Sequence, residues 1–206
     1  MAKITAIRTG NGKRLHISLD GKFAFSLEPE LAERARLRVE QELPESESQK
    51  LVTNDRFYRC FKAATRYLGY RPQSEFELKE KLGRHGFDNS TKEAVIAKLK
   101  EQGLVNDSAF AQFWVDNRES FSPRSQWLTK QELRQKGIAN EIIEEAVKVI
   151  NDEDNAYRVS VSKVRSLSRL DYESFRRRLG EYLRRRGFNY DVINHTVERV
   201  WQEQGR

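Results

Sequence analysis

Leu82-Gly83-Arg84-His85-Gly86-Phe87, Leu133-Arg134-Gln135-Lys136-Gly137-Ile138 and Leu183-Arg184-Arg185-Arg186-Gly187-Phe188 share one pattern, Leu-x-x-x-Gly-apolar. Their glycines at 86, 137 and 187 are 51 and 50 residues apart. One such match is common. Three at nearly equal spacing, each closing a helical pattern, define a repeat. The flanks repeat as well. Ile142, Ile143, Ala146, Val147 and Ile150 follow Gly137, and Val192, Ile193, Thr196, Val197 and Val200 follow Gly187 at the same offsets. Val95, Ile96 and Leu99 fit after Gly86 with about three extra residues. Upstream, Pro72 and Ser74 correspond to Pro123 and Ser125 at an offset of 51.

Each repeat therefore reads as three helices: a leading one, a middle one stopped by glycine, and a closing amphipathic one. Such units bury little alone and gain by stacking. The patterns predict helices over 48–68, 74–85 and 90–102; 107–119, 124–136 and 140–151; and 154–168, 171–186 and 190–204. Gly69, Gly86, Gly103, Gly137 and Gly187 all read as left-handed helix stops, and Asp107 as the N-cap of its helix.

The first 27 residues follow another rule, apolar residues at period two. Leu15, Ile17 and Leu19, then Phe23, Phe25 and Leu27, form one apolar face, with Asn11-Gly12 and Asp20-Gly21 as tight turns. A three-stranded antiparallel meander is expected. Glu28-Pro29-Glu30 opens a covering helix whose Leu31, Ala35 and Val39 lie on the sheet. Leu43-Pro44 and the following Glu/Ser run read as a linker or a helix start. The expected organisation is mainly α: an elongated tandem of three three-helix units behind a small β meander. The boundaries are 1–47, 48–103, 104–152 and 153–206.

Composition bounds the function. The chain has 206 residues, a formal net charge of +7, 33% charged and 37% apolar residues, and one cysteine. The longest stretch without a charge, Ser108 to Val115, is eight residues, against roughly 20 for a membrane span. Lys3 and the alternation after it do not fit a secretory signal. The lone Cys60 excludes an intramolecular disulfide and suits a reducing cytoplasm. His16, His85 and His195 lie in different units, no His pair has helical i, i+4 spacing, and no phosphate-cradling glycine loop occurs. The acids alternate with Lys and Arg as on solvated helix faces. No catalytic, cofactor-binding or metal-binding residue is assigned.

The positive charge is uneven. Residues 1–50 carry nine basic and eight acidic residues, 51–153 seventeen and sixteen, and 154–206 twelve and seven. The surplus of five sits in residues 154–206. There Tyr172, Phe175, Leu179, Tyr182 and Leu183 form an apolar stripe flanked by Arg176, Arg177, Arg178, Arg184, Arg185 and Arg186, with Lys163, Arg165 and Arg169 nearby. These nine basic residues are the candidate contact set. Arginine forks match phosphate or carboxylate; solubilising side chains whose stems cover apolar surface are the alternative. Phe110, Phe113 and Trp114, and Phe57 and Phe61, sit at helical spacing and are assigned to the core. Trp127 is either a core residue, the favoured reading, or an exposed contact. Cys60 reads as a buried thiol, and His85 as a surface residue at a helix end.

Four segments carry a family resemblance. Arg71-Pro72-Gln73-Ser74-Glu75-Phe76-Glu77-Leu78-Lys79-Glu80-Lys81-Leu82 resembles the RxRSxxELxxKL signature of the RecX regulatory family, with Gln73 where a second basic residue is common. Gly103-Leu104-Val105-Asn106-Asp107-Ser108-Ala109-Phe110-Ala111 is similar to its GxLNDxxFA segment, with Val105 where Leu or Ile is usual. Glu132 to Ile138 resembles its ELxxKGI and Leu183 to Phe188 its LxRRGF. The resemblance covers residues 55–206. It implies tandem three-helix repeats and a non-enzymatic regulator that lies along the groove of the RecA filament, limiting its growth or promoting its disassembly. The implied partner is RecA, with single- or double-stranded DNA as a further candidate; no membrane is implied, and a monomer is expected. Direct DNA binding by helix-turn-helix-like units remains the alternative.

Overall fold

The computed structural model describes residues 2–203. It contains β1 (Ala2–Thr9), β2 (Leu15–Leu19), β3 (Lys22–Leu27), α1 (Pro29–Arg34), β4 (Glu42–Leu43) and α2 (Glu45–Leu68). Then come α3 (Glu75–Arg84), α4 (Asn89–Glu101), α5 (Asp107–Phe121), α6 (Gln126–Gln135) and α7 (Asn140–Ala146). The chain continues through α8 (Asp152–Val164), α9 (Tyr172–Arg185) and α10 (Tyr190–Glu203). The periodicity of the three repeats thus appears as three successive helix triplets. The expected end of the last helix at 204 lies outside the described residues.

The chain forms two compact units. One holds the residues up to 71 together with Leu78–Gln102; the other holds Pro72–Glu77 together with the chain from Gly103 onward. The first turn of α3 therefore belongs to the second unit and its remainder to the first.

In the first unit, the sheet has four strands rather than three, in the order β3-β2-β1-β4. The segment at Leu43-Pro44, expected as a linker or a helix start, contributes the fourth and leads into α2 at Glu45: Ala2 pairs with Leu43 and Lys3 with Glu42. Two residues are too few for a periodic signal, which is why the strand is illegible in sequence. Asp20 and Gly21 both have positive φ, 49° and 80°, the geometry of a primed hairpin turn. The apolar face is shorter than alternation suggests. A register shift after Ile17 pairs Ser18 with Phe23, skipping Ala24. Phe23 is consequently 63% exposed and meets the His16 ring edge-on at 5.5 Å. Ile4, Ile17, Leu27, Ala32 and Leu43 make the core of this sheet. Helix α1 ends at Arg34, and Val39, expected on the sheet, is exposed.

The first repeat buries Cys60, Ala64, Leu78, Leu82, Val95, Ile96 and Leu99, with α2 packed on α4. Asp55, buried in α2, ties the sheet to it: the Glu28 amide donates to Asp55 Oδ1 at 2.8 Å, and Arg14 bridges Asp55 at 2.7 Å and Glu28 at 2.9 Å. Gly69 continues the right-handed helical backbone at φ −65°, unlike the expected left-handed stop. Burial pushes the Cys60 thiol up to about 11, with Asp88 adding to the effect, so it stays protonated at neutral pH and is a poor nucleophile.

In the second unit, α5, α6 and α7 enclose Phe110, Ala111, Val115, Leu133 and Ile143. Helices α8, α9 and α10 enclose Val159, Phe175, Leu179, Leu183, Phe188 and Val197. The expected core aromatics are graded: Phe110 is buried, whereas Phe113 and Trp114 are half-buried.

One kind of joint occurs twice in this unit. Ser74 Oγ accepts from the Glu77 amide at 3.0 Å and donates to the Lys136 carbonyl at 2.7 Å. At the equivalent position, Ser125 Oγ accepts from the Leu128 amide at 3.1 Å, and the Ser125 amide donates to the Arg186 carbonyl at 3.0 Å. Each joint has an acidic strut. The Glu75 amide donates to Asp107 Oδ1 at 2.9 Å, and the Gln126 amide to Asp152 Oδ1 at 2.7 Å. Asp107 is therefore not the cap of its own helix. Asn106 fills that role, accepting from Ser108 and Ala109, and Asp107 is free to satisfy an open amide at another helix start.

Candidate functional site

Helix α9 carries the basic cluster, and its geometry follows from its spacing. Asp171 caps it, accepting from the Ser174 amide at 2.9 Å, and that hydrogen bonding holds the Asp171 carboxyl below its ordinary pKa. Phe175, Leu179 and Leu183, four residues apart, are fully buried. At about 3.6 residues per turn, this fixes the other positions. Arg177 and Arg184 point away from the core, Arg176 and Gly180 face α10, and Arg178 and Arg185 lie on the opposite flank.

The nine candidates accordingly separate into three groups. Arg176, Arg177 and Arg184 line a groove of about 390 Å³ between α9 and α10, together with Glu173, Gly180, Glu181, Tyr190, Ile193, Asn194 and Val197. Arg178 and Arg185 are exposed on the other flank; Arg165 at the end of α8 and Arg169 in the following connection are also exposed. Lys163 and Arg186 are half-buried and approach one ring: Lys163 Nζ lies 5.7 Å and Arg186 Cζ 4.5 Å from the Tyr182 centroid. Among the described residues, none of the nine enters an ion pair.

Arg186 differs from the rest. It is the C-cap of α9, its carbonyl receives the Ser125 amide, and its Nε is buried without a hydrogen-bond partner. Its neighbour Arg124 also has a buried, unpartnered Nε. Burial, with Arg118 and Arg186 nearby, lowers the Arg124 pKa against the pull of Glu132. Glu132 anchors this cluster. It accepts from Trp114 Nε1 and Arg118 Nε, both at 2.8 Å, and pairs with Arg124.

Two features are not legible in the sequence, and a third departs from the favoured reading. Tyr190 is 70% exposed at the first turn of α10; its signal was an aromatic directly after the capping residue Asn189 and off the apolar stripe. Gly180 opens the groove floor, since a Cβ there would meet only Ile193 Cγ2 at 3.6 Å. Trp127, favoured as core, is 60% exposed; it stands at the start of α6, with its ring edge facing the Gly187 turn. No group of three or more His, Cys, Asp or Glu side chains among the described residues is arranged to hold a metal. No described helix is long and apolar enough to cross a membrane.

The fold and the cluster define a tandem three-helix repeat protein with a basic final repeat. The family models for RecX match in order: the first three-helix domain over residues 60–99, the second over 106–147 and the third over 151–197. The chain is 30% identical over 205 residues to the regulatory protein RecX of Lactobacillus gasseri, covering 97% of this chain and 75% of that one. It is 28% identical over 207 residues to that of Clostridium perfringens strain SM101, covering 97% of both. A crystal structure of regulatory protein RecX superposes with a TM-score of 0.66 at 25% identity, over 96% of this chain and all of the other. That of RecX from Lactobacillus salivarius has the same fold, with a TM-score of 0.60 over 71% of this chain. The chain belongs to the RecX family of regulatory proteins.

Proposed function

We propose that this protein is a non-enzymatic regulator that binds the RecA recombinase filament along its groove and inhibits or destabilises it, thereby modulating recombination and DNA repair in the cytoplasm. The observation that supports this most is the ordered match of three RecX helical domains along one chain. Tandem repeats present several surfaces to a helical polymer, and weak contacts made together multiply affinity. Binding that favours one filament state over another shifts its population without chemistry. The protein acts as a monomer whose modules are 1–47, 48–103, 104–152 and 153–206. The basic residues of the last module meet phosphate or acidic side chains of the filament.

The test is RecA ATPase activity on single-stranded DNA with increasing amounts of this protein. The expected result is inhibition at concentrations where bare DNA stays mostly unbound. DNA binding with no effect on the ATPase would instead favour direct DNA binding through the basic repeat. That second reading draws on the arginines of α9, which form no ion pair among the described residues.

A further inference from the structure

We infer that the groove between α9 and α10 is a binding site for single-stranded nucleic acid, with Arg177 and Arg184 on its phosphates and Tyr190 stacked on a base. This deepens the reading that the basic repeat meets the nucleic acid of the filament, and rests on it.

Three observations carry the inference. First, Arg176, Arg177 and Arg184 line the groove and form no ion pair among the described residues. Glu173 and Glu181 share the lining at i, i+3 and i, i+4 spacing to these arginines but form no ion pair with them, so three guanidinium groups face two carboxylates. Arg177 and Arg184 are seven residues apart, about 10 Å along the helix axis, so they serve two phosphates of one strand. Second, the floor is apolar and open because residue 180 is glycine, with Ile193 and Val197 beneath. Third, Tyr190 stands 70% exposed at the groove rim. An exposed aromatic beside unpaired arginines is the arrangement that binds single strands through stacking and charge.

The strand must be single because a base can reach Tyr190 only when it is unpaired, and a groove of about 390 Å³ admits no duplex. A polyanion fits better than an acidic peptide segment. Further positive charge lies off the groove, on Arg178 and Arg185 of the other flank and on Arg165 and Arg169, none of them in an ion pair among the described residues, and adds to the attraction of a polyanion.

The experiment measures binding of a labelled oligothymidylate to the full chain across a range of salt concentrations. Tyr190→Ala is expected to weaken binding roughly tenfold. Arg177→Ala/Arg184→Ala should lower the slope of log affinity against log salt by about 1.4, at roughly 0.7 per phosphate. Gly180→Leu alters no charge but fills the groove, and should lose affinity while keeping its melting temperature. Normal affinity in Tyr190→Ala and Gly180→Leu, alongside an equal loss in Arg178→Ala/Arg185→Ala, would overturn the groove in favour of a diffuse basic face. Displacement of the oligonucleotide by oligoglutamate at equal charge would overturn it in favour of an acidic protein segment. RecA ATPase inhibition reads the parent proposal separately. A protein that inhibits RecA while the groove variants bind oligothymidylate normally refutes the groove alone. One that binds with these dependencies yet leaves RecA unaffected refutes the filament reading alone.

Discussion

Phe76 occupies the space that a side chain at Gly137 would need. A Cβ built on Gly137 collides with Phe76 Cβ and comes within 2.7 Å of its Cγ. The same relation holds at the next joint, where a Cβ on Gly187 would lie 2.6 Å from Leu128 Cβ and 2.6 Å from Ser125 Oγ. The Leu-x-x-x-Gly motif thus has two physical requirements, not one. Gly137 and Gly187 have φ of 74° and 87°, and they also accept the start of another middle helix against their backbone.

Gly86 separates these requirements. Its φ is 79°, yet a Cβ there meets nothing within 4 Å. Gly86→Ala should cost only the left-handed backbone penalty, about 1–2 kcal/mol. Gly137→Ala should cost that plus an overpacking penalty of roughly 1–3 kcal/mol. Denaturant unfolding of the two variants checks the difference. Phe76→Ala combined with Gly137→Ala should recover much of the excess. Strict additivity in that double-mutant cycle would show that the ring does not exclude the Cβ.

Asp152 gives a pH prediction. It is the half-buried strut at the Gln126 amide, and partial burial raises its pKa above the ordinary value despite that hydrogen bond. The folded state then holds the proton more tightly than the unfolded chain. The stability this group contributes is full below the ordinary carboxylate pKa and is lost as pH rises through the folded one. Asp152→Asn keeps an oxygen acceptor without the half-buried charge. It should leave stability at neutral pH unchanged or higher and flatten this part of the pH profile. Asp152→Ala should cost about 1 kcal/mol. Unfolding midpoints of the three proteins across mildly acidic to neutral pH decide it. A steep loss in Asp152→Asn at neutral pH would show that the charge itself holds the joint.

Glu132 is the single carboxylate shared by Trp114, Arg118 and Arg124. Glu132→Ala leaves two half-buried guanidinium groups and an indole N–H without this acceptor. The expected cost is roughly 3 kcal/mol, with an altered tryptophan emission. A cost below about 1 kcal/mol would mean that water replaces the carboxylate fully.

Long-range order in this chain was legible where it repeats. The glycine spacing announced three helix triplets because one backbone requirement recurs at 86, 137 and 187. The joints were not legible, because they depend on which atom a side chain reaches. Asp107 looks like a helix cap by position, and only its distance to the Glu75 amide shows that it caps another helix. Likewise the run Arg184-Arg185-Arg186 is uniform in sequence. The helix then sends Arg184 to the groove, Arg185 to the other flank and Arg186 onto Tyr182. Composition placed the surplus charge in the last repeat but could not assign the arginines to faces.

That division makes the charge-reversal experiment specific. Arg177→Glu/Arg178→Glu/Arg184→Glu/Arg185→Glu changes four exposed residues with no ion pair among the described residues. It should leave the unfolding midpoint close to that of the parent protein, because surface positions of this kind shift stability little. It should raise the concentration needed for half-inhibition of RecA by tenfold or more, since reversed charge repels where it attracted. Arg186→Glu should behave in the opposite way. Its guanidinium lies over Tyr182 at the joint where its carbonyl binds the Ser125 amide, so replacing it lowers the melting temperature. Inhibition then falls only as far as the folded fraction does. Melting curves and ATPase titrations on the same preparations separate the two. Full inhibition by the stable quadruple variant would move the filament contact off α9 to another surface.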